Sequence, residues 1–259
     1  SSLGPDAEGA VAFLRRARPV GFWVLVAIDP ELPSGVEGKI ETRSFAPRES
    51  DEARAWVADR NARRLNVYWT VNAVDRPLAK QPSRQDISRL EWLHVDVDPA
   101  KRLPLAEERD RIERLFGTEW PTGIPPATVV IDSGGGLQGF WRLSEPLSLD
   151  GVPEAYEDAA RYNQQLEIRF GGDGCHNVDR IMRLPGTVNW TDARKRDAGR
   201  TPRLAAIWQE RDASYPLSAF TPAPVRQTSP IVDLTPRRAE GDTGNVERLL
   251  SLDELPRGV

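Results

Sequence analysis

Short apolar runs, none near the ~18 residues that a membrane span requires, alternate with amphipathic and polar stretches along this chain. The runs 21–28 (GFWVLVAI), 65–71 (LNVYWTV), 90–97 (LEWLHVDV), 127–132 (ATVVID) and 137–143 (LQGFWRL) have the length of buried strands. Residues 40–45 are placed to pair beside the first of them, and 203–208 reads as a last strand. Helical signals cover 6–18, 49–64, 104–116 and 152–170. In the first of these Ala7, Ala10, Val11 and Leu14 share a side, and Pro19 stops the helix. Gly171-Gly172 ends the last one. Residues 73–89 read as a polar loop with a helical turn, and 173–192 hold turn formers with few periodic signals. Strands and helices do not alternate in regular βαβ units, so the expected class is α+β. Beyond 215 the composition shifts: Pro222, Pro224, Pro230 and Pro236 fall among Ser, Thr, Arg and Asp. Residues 216–259 therefore read as a Pro-rich linker or disordered tail after a folded part, 1–215.

A single cysteine, Cys175, excludes a disulfide framework and any zinc site built from several thiolates. The two histidines, His94 and His176, leave little for a His-rich metal site. No basic segment followed by an apolar one opens the sequence, and a cytoplasmic location is the expectation. The net charge is −4, without the basic excess by which nucleic-acid binders usually declare themselves. Arginine dominates the cations, 31 against 4 lysines, which a GC-rich genome explains as simply as a preference for phosphate.

Three local patterns carry chemistry. In His94-Val95-Asp96-Val97-Asp98, strand alternation places Asp96 and Asp98 on one face and Leu93, Val95 and Val97 on the other, in the core. Two like charges so close call for a cation between them, and hard carboxylate oxygens suit Mg²⁺ or Mn²⁺. The bland alternative is an exposed acidic strand end entering a turn at Pro99. In Ser133-Gly134-Gly135-Gly136-Leu137-Gln138, three glycines permit unusual backbone angles, and free N–H groups there would form an anion-binding nest. A flexible hairpin is the alternative. In the segment from Asn177 to Asn189 (NVDRIMRLPGTVN), Asp179 is a third carboxylate, flanked by Arg180 and Arg183. It is either a surface ion pair or a metal ligand beside phosphate-binding arginines.

Taken together and in this order, the patterns resemble the archaeo-eukaryotic primase superfamily, nearest to the primase-polymerase domains of plasmids and phages. The resemblance implies an RRM-like catalytic sheet over about 86–215 and an additional N-terminal α/β unit over about 1–85. It implies a template-dependent nucleotidyltransferase that makes and extends primers on single-stranded DNA from nucleoside triphosphates. Asp96, Asp98 and Asp179 would be the catalytic metal ligands for Mg²⁺ or Mn²⁺. Ser133, Gly135, Gly136, Gln138, Arg142, Arg180 and Arg183 would contact the nucleotide. Gln138 stands where the family usually has His, a departure that leaves a weakly active or inactive replication initiator as one alternative; a metal-dependent nuclease, which could also use clustered aspartates, is another. Lys80, Arg84, Trp190, Arg194, Lys195 and Arg196 are the expected template contacts. A helicase domain or partner protein would complete the machinery.

Overall fold

The computed structural model describes residues 4–31, 40–100, 103–149, 151–172 and 174–225. These form two four-stranded antiparallel sheets. The first opens with α1 (Ala7–Ala17), whose N-terminal cap is Asp6, accepting from the Gly9 amide at 2.8 Å. The chain then runs through β1 (Trp23–Ile28), β2 (Ile40–Phe45), α2 (Ser50–Ala62) and β3 (Asn66–Thr70). The second sheet begins with β4 (Arg89–Val97), followed by α3 (Leu105–Phe116), β5 (Val129–Asp132), β6 (Leu137–Ser148) and α4 (Pro153–Phe170). Gly171, in the left-handed conformation, terminates α4. The chain then returns to the first sheet as β7 (Ile181–Arg183) and pairs β8 (Val188–Asn189) with β9 (Arg203–Leu204) around α5 (Ala193–Asp197). It re-enters the second sheet as β10 (Ala206–Glu210). Strand orders are β2-β1-β3-β7 and β10-β5-β6-β4.

The mixed α+β class expected from the apolar runs is the one observed. Alternation in β1 sends Trp23, Leu25 and Ala27 into a core shared with α1, α2 and the inner face of the second sheet. Trp69 is its centre, 5.0 Å from the Phe13 ring and 5.6 Å from that of Phe140. On the other face of the second sheet, Leu93, Val95, Val97 and Trp141 pack with Ile112 and Phe116 of α3 and Leu166 and Phe170 of α4. β4 is the edge of its sheet, and its exposed amides are capped by side chains: Asn72 Oδ1 accepts from Glu91 and Trp92, Asn163 Oδ1 from His94.

Two elements departed from expectation. β7 and β8 lie in the stretch read as turns. They are too short to show a period, and tertiary contacts fix them: Met182 and Leu184 enter the first core. The body also continues past 215. Phe220 packs against Trp141, and Ala223 exchanges hydrogen bonds with Arg161 of α4, so 216–225 belong to it. The rest of the expected tail, 226–259, lies outside the described residues.

Candidate active site

The end of β4 delivers Asp96 and Asp98 to one cavity of about 180 Å³. Both carboxylates line it, as strand alternation requires. Opposite them stand Arg180 and Arg183, at the entrance to and the end of β7, with Lys195 and Arg200 from the α5 region above. None of these four cations is in an ion pair with a carboxylate among the described residues. In a chain of net charge −4, this cavity sets four cations against two acids.

Arg183 is held rigidly. One guanidinium nitrogen, Nη2, donates to the Tyr68 hydroxyl and to Asn189 Oδ1, each at 3.0 Å, and the group stacks on the Tyr68 ring at 4.2 Å. Its other nitrogen, Nη1, is buried with no hydrogen-bond partner, as is Nε of Arg180. Buried orphan donors each cost roughly 1–3 kcal/mol, and an anionic oxygen in the cavity would satisfy them. Gln138, opposite Asp96 in the β4–β6 register, is buried; its Oε1 accepts from the Arg183 amide at 3.2 Å. Gln138 thus joins the two sheets and sets the start of the Arg183 side chain.

The glycine loop has a different purpose from the expected anion nest. Gly134 donates to Asp132 Oδ1 at 2.8 Å, while Gly135 and Gly136 donate to Ser133 Oγ at 3.2 and 3.1 Å. The N–H groups are consumed by the loop itself. The glycines are instead required by packing: a Cβ on Gly136 would lie 2.0 Å from the Val97 carbonyl oxygen, and one on Gly135 3.2 Å from Asp98 Oδ1. The loop therefore presses on the strand end that carries the acids. Arg109 of α3 holds it from outside, donating to Asp132 Oδ2 at 2.8 Å and to the Gly135 carbonyl at 3.2 Å.

Asp179 does not join Asp96 and Asp98. A turn closed by the Arg180 amide on the Asn177 carbonyl, 3.2 Å, places Val178 and Asp179 at its corner. Val178 goes to the core, Arg180 to the acidic cavity, and Asp179 to a separate cavity with Arg84, Tyr156 and His176. Burial pushes the Asp179 carboxyl above its ordinary range, with Arg84 and Arg180 opposing that. Among the described residues no three His, Cys, Asp or Glu side chains converge to hold a metal. The three-carboxylate set expected from the sequence is thus not assembled by these residues. Asp179→Ala is accordingly expected to leave whatever reaction the Asp96–Asp98 cavity supports within about threefold of the wild-type rate, about 0.7 kcal/mol, read from initial rates.

Arg142 is likewise elsewhere. It shares a face with Gln138, but four residues along β6 is roughly 13 Å. There it stacks on Trp92 at 4.8 Å and donates to the Arg16 carbonyl, binding α1 to the second sheet. Arg142→Ala is expected to lower stability by about 1 kcal/mol, read from thermal melting.

Of the expected template contacts, Lys195 lines the cavity. Arg194 lies on the same helix, and Arg196 is paired with Glu31. Trp190 serves packing: its indole donates to the Asn61 carbonyl at 3.0 Å, and Arg64 covers the ring at 5.6 Å. Lys80 stands 3.9 Å from Asp86, and Arg84 belongs to the Asp179 cavity.

His94 is fully buried, with Nε2 2.9 Å from the Cys175 carbonyl, and burial lowers its pKa to about 4. Its ring is a neutral structural link. Burial, then the nearby Asp96 charge, raises the Cys175 thiol to about 12, so it is inert. Tyr68, Asn189, Thr191 and Thr201 also line the acidic cavity and were not singled out from sequence. Asn189 closes the third motif and was visible there; Tyr68 sits in a strand whose apolar pattern speaks only of the core.

No protein-family model matches this chain, and no curated protein matches it. Three solved structures share its fold. The AEP domain of the cyanophage S-2L primase-polymerase superposes with a TM-score of 0.56 at 18% identity, covering 81% of this chain and 93% of that one. The catalytic domain of primase RepB′ in complex with initiator DNA gives 0.52 at 12% identity, over 81% and 88%. A further primase RepB′ structure gives 0.51 at 11%, over 81% of this chain and 58% of the other.

Proposed function

From a chain with the archaeo-eukaryotic primase fold, we propose a template-dependent nucleotidyltransferase that makes and extends primers on single-stranded DNA. The observation that carries this reading is the pairing, in one cavity, of two strand-borne carboxylates with buried guanidinium donors that have no partner.

The residues fit a divalent cation in a particular way. Asp96 and Asp98 supply two carboxylates, and Mg²⁺ or Mn²⁺ habitually takes one or two from protein and the rest from phosphate and water. When bound, such an ion neutralises the triphosphate and makes the attacking hydroxyl more acidic. A two-ion arrangement on three described carboxylates does not fit, because Asp179 is turned away.

The chain's own groups have separable tasks. Asp96 and Asp98 would hold the cation at the strand end. Arg180 and Arg183 offer their unsatisfied N–H donors to phosphate oxygens, and Lys195 and Arg200 add charge from above. Rigid anchoring of Arg183 by Tyr68 and Asn189 means its donors need little reorganisation on binding. A nucleotide 3′-oxygen bonds to the α-phosphorus of the incoming triphosphate. The bond to pyrophosphate breaks, and the hydroxyl proton leaves to solvent.

The test is incubation of the pure chain with single-stranded DNA, all nucleotides and Mn²⁺, with and without an annealed primer. New or lengthened strands are expected. Silence in both, with DNA binding retained, would favour a replication initiator without catalysis. Cleavage of the DNA in the absence of nucleotides would favour a nuclease.

A further inference from the structure

The loop between β5 and β6 supports both halves of the acidic cavity at once. On one side Gly135 lies against Asp98: a Cβ on it would stand 3.2 Å from Oδ1 of that carboxylate. On the other, the Ser133 carbonyl accepts from Asn189 Nδ2 at 2.7 Å, while Asn189 Oδ1 accepts from Arg183 Nη2 at 3.0 Å. Asn189 is thus a strut between the loop and a guanidinium that lines the cavity. The loop is stiff within itself, because the Ser133 amide and hydroxyl both donate to the Gly136 carbonyl at 3.0 Å. A loop so closed shifts as one piece, so whatever seats it seats Asp98 and Arg183 together. Arg109 seats it. On this reading of the function, we propose that Arg109, which lies outside the lining of the cavity, is the positioning residue that sets the acids against the arginines.

The guanidinium is suited to that task. Its side chain is 13% exposed, and its two terminal nitrogens go to different residues: Nη2 to Asp132 Oδ2 at 2.8 Å, Nη1 to the Gly135 carbonyl at 3.2 Å. Asp132 in turn fixes the Gly134 amide through Oδ1. One planar group therefore ties the start and the middle of the loop to α3, which is itself seated in the second core by Ile112 and Phe116. An ammonium could serve one of these acceptors but lacks the fork that serves both. The remaining contact, Glu113 Oε1 at 3.5 Å one turn along α3, helps to orient the guanidinium. Gly135 stands directly between Arg109 and Asp98, bonded to the first through its carbonyl and packed on the second. A support placed one residue behind a metal-holding carboxylate sets its geometry without touching the ion.

Arg109→Met keeps most of the stem and removes the fork. Two probes are used: Mn²⁺ alone, followed by electron paramagnetic resonance, and a nucleoside triphosphate without metal, followed by calorimetry. The Asp96→Ala/Asp98→Ala variant identifies the Mn²⁺ signal that belongs to the cavity. Arg109→Met is expected to weaken Mn²⁺ binding there about tenfold or more, and triphosphate binding about threefold. Arg109→Lys keeps the charge beside Asp132; it is expected to fold like wild type and still to lose about threefold in Mn²⁺ affinity. Arg114→Met removes an exposed α3 arginine paired with Glu119 and is expected to change neither affinity. Added to Asn189→Ala, Arg109→Met should weaken triphosphate binding by less than about a further twofold, because both act through one loop. Folded Arg109→Met and Arg109→Lys that melt lower, with both affinities within about twofold of wild type, overturn the proposal and leave the polymerase reading intact. So does full multiplication of the two effects in the double variant. Wild type that binds neither probe removes both readings.

Discussion

Asp96→Ala/Asp98→Ala is expected to abolish nucleotide transfer, lowering the rate by about three orders of magnitude or more, with the fold retained. The argument is electrostatic. Both side chains face the cavity rather than the core, so their removal leaves the packing of Leu93, Val95 and Val97 untouched. Taking two acids from a cavity lined by Arg180, Arg183, Lys195 and Arg200 leaves it strongly cationic. The variant should therefore still bind polyphosphate, and its triphosphate affinity without Mn²⁺ is compared directly with that of wild type. Loss of the reaction with retained or improved metal-free binding is the signature of missing cation ligands. Loss of both, with unchanged circular dichroism, would mean that the carboxylates organise the arginines instead.

Gly136→Ala is expected to damage the fold as well as the reaction. A methyl group there meets the Val97 carbonyl oxygen at 2.0 Å and the backbone of Asp98 at 2.9 Å. Neither neighbour is a flexible side-chain end, so either the β4–β6 pairing shifts or the loop lifts away from Asp98. Overpacking of this kind costs about 3 kcal/mol. Melting should fall by several degrees, and activity by more than the unfolded fraction explains, because Asp98 moves with the strand end. Gly134→Ala offers a contrast. That residue has φ +80°, and a Cβ on it would lie 3.1 Å from Arg203 Cβ and 3.2 Å from Asn189 Cβ, so its strain falls on β8 and β9 and away from β4.

Much of this was legible in the chain. The alternation of apolar and acidic residues in 93–98 located a strand and the face of its carboxylates, and the structure places both acids in one cavity. The glycine run marked a special backbone, expected to receive an anion. Its reason was hidden, because only three-dimensional pairing reveals that Ser133 and Asp132 consume the loop's amides and that Val97 takes the space a Gly136 side chain would need. The direction of Asp179 was hidden for a related reason: a turn reverses the alternation on which face assignments depend, and it aims Arg180 and Asp179 at different cavities. Arg142 shows the same limit in distance, being on the right face but too far along β6. Leu184-Pro185-Gly186-Thr187 proved to be architecture. Gly186, at φ +86°, comes within 2.7 Å of the Asp6 amide through its carbonyl, and the Thr187 hydroxyl donates to the Leu184 carbonyl. That turn brings α1 against the strand that carries Arg183.

The assignment of the reaction to the Asp96–Asp98 cavity is tested most directly by one primed assay. Wild type, Asp98→Ala and Asp179→Ala are compared on an annealed primer and template with all nucleotides and Mn²⁺, each checked for fold. Extension by wild type and Asp179→Ala, with none by Asp98→Ala, is the expected result. Extension by Asp98→Ala, or its loss in a folded Asp179→Ala, contradicts the assignment.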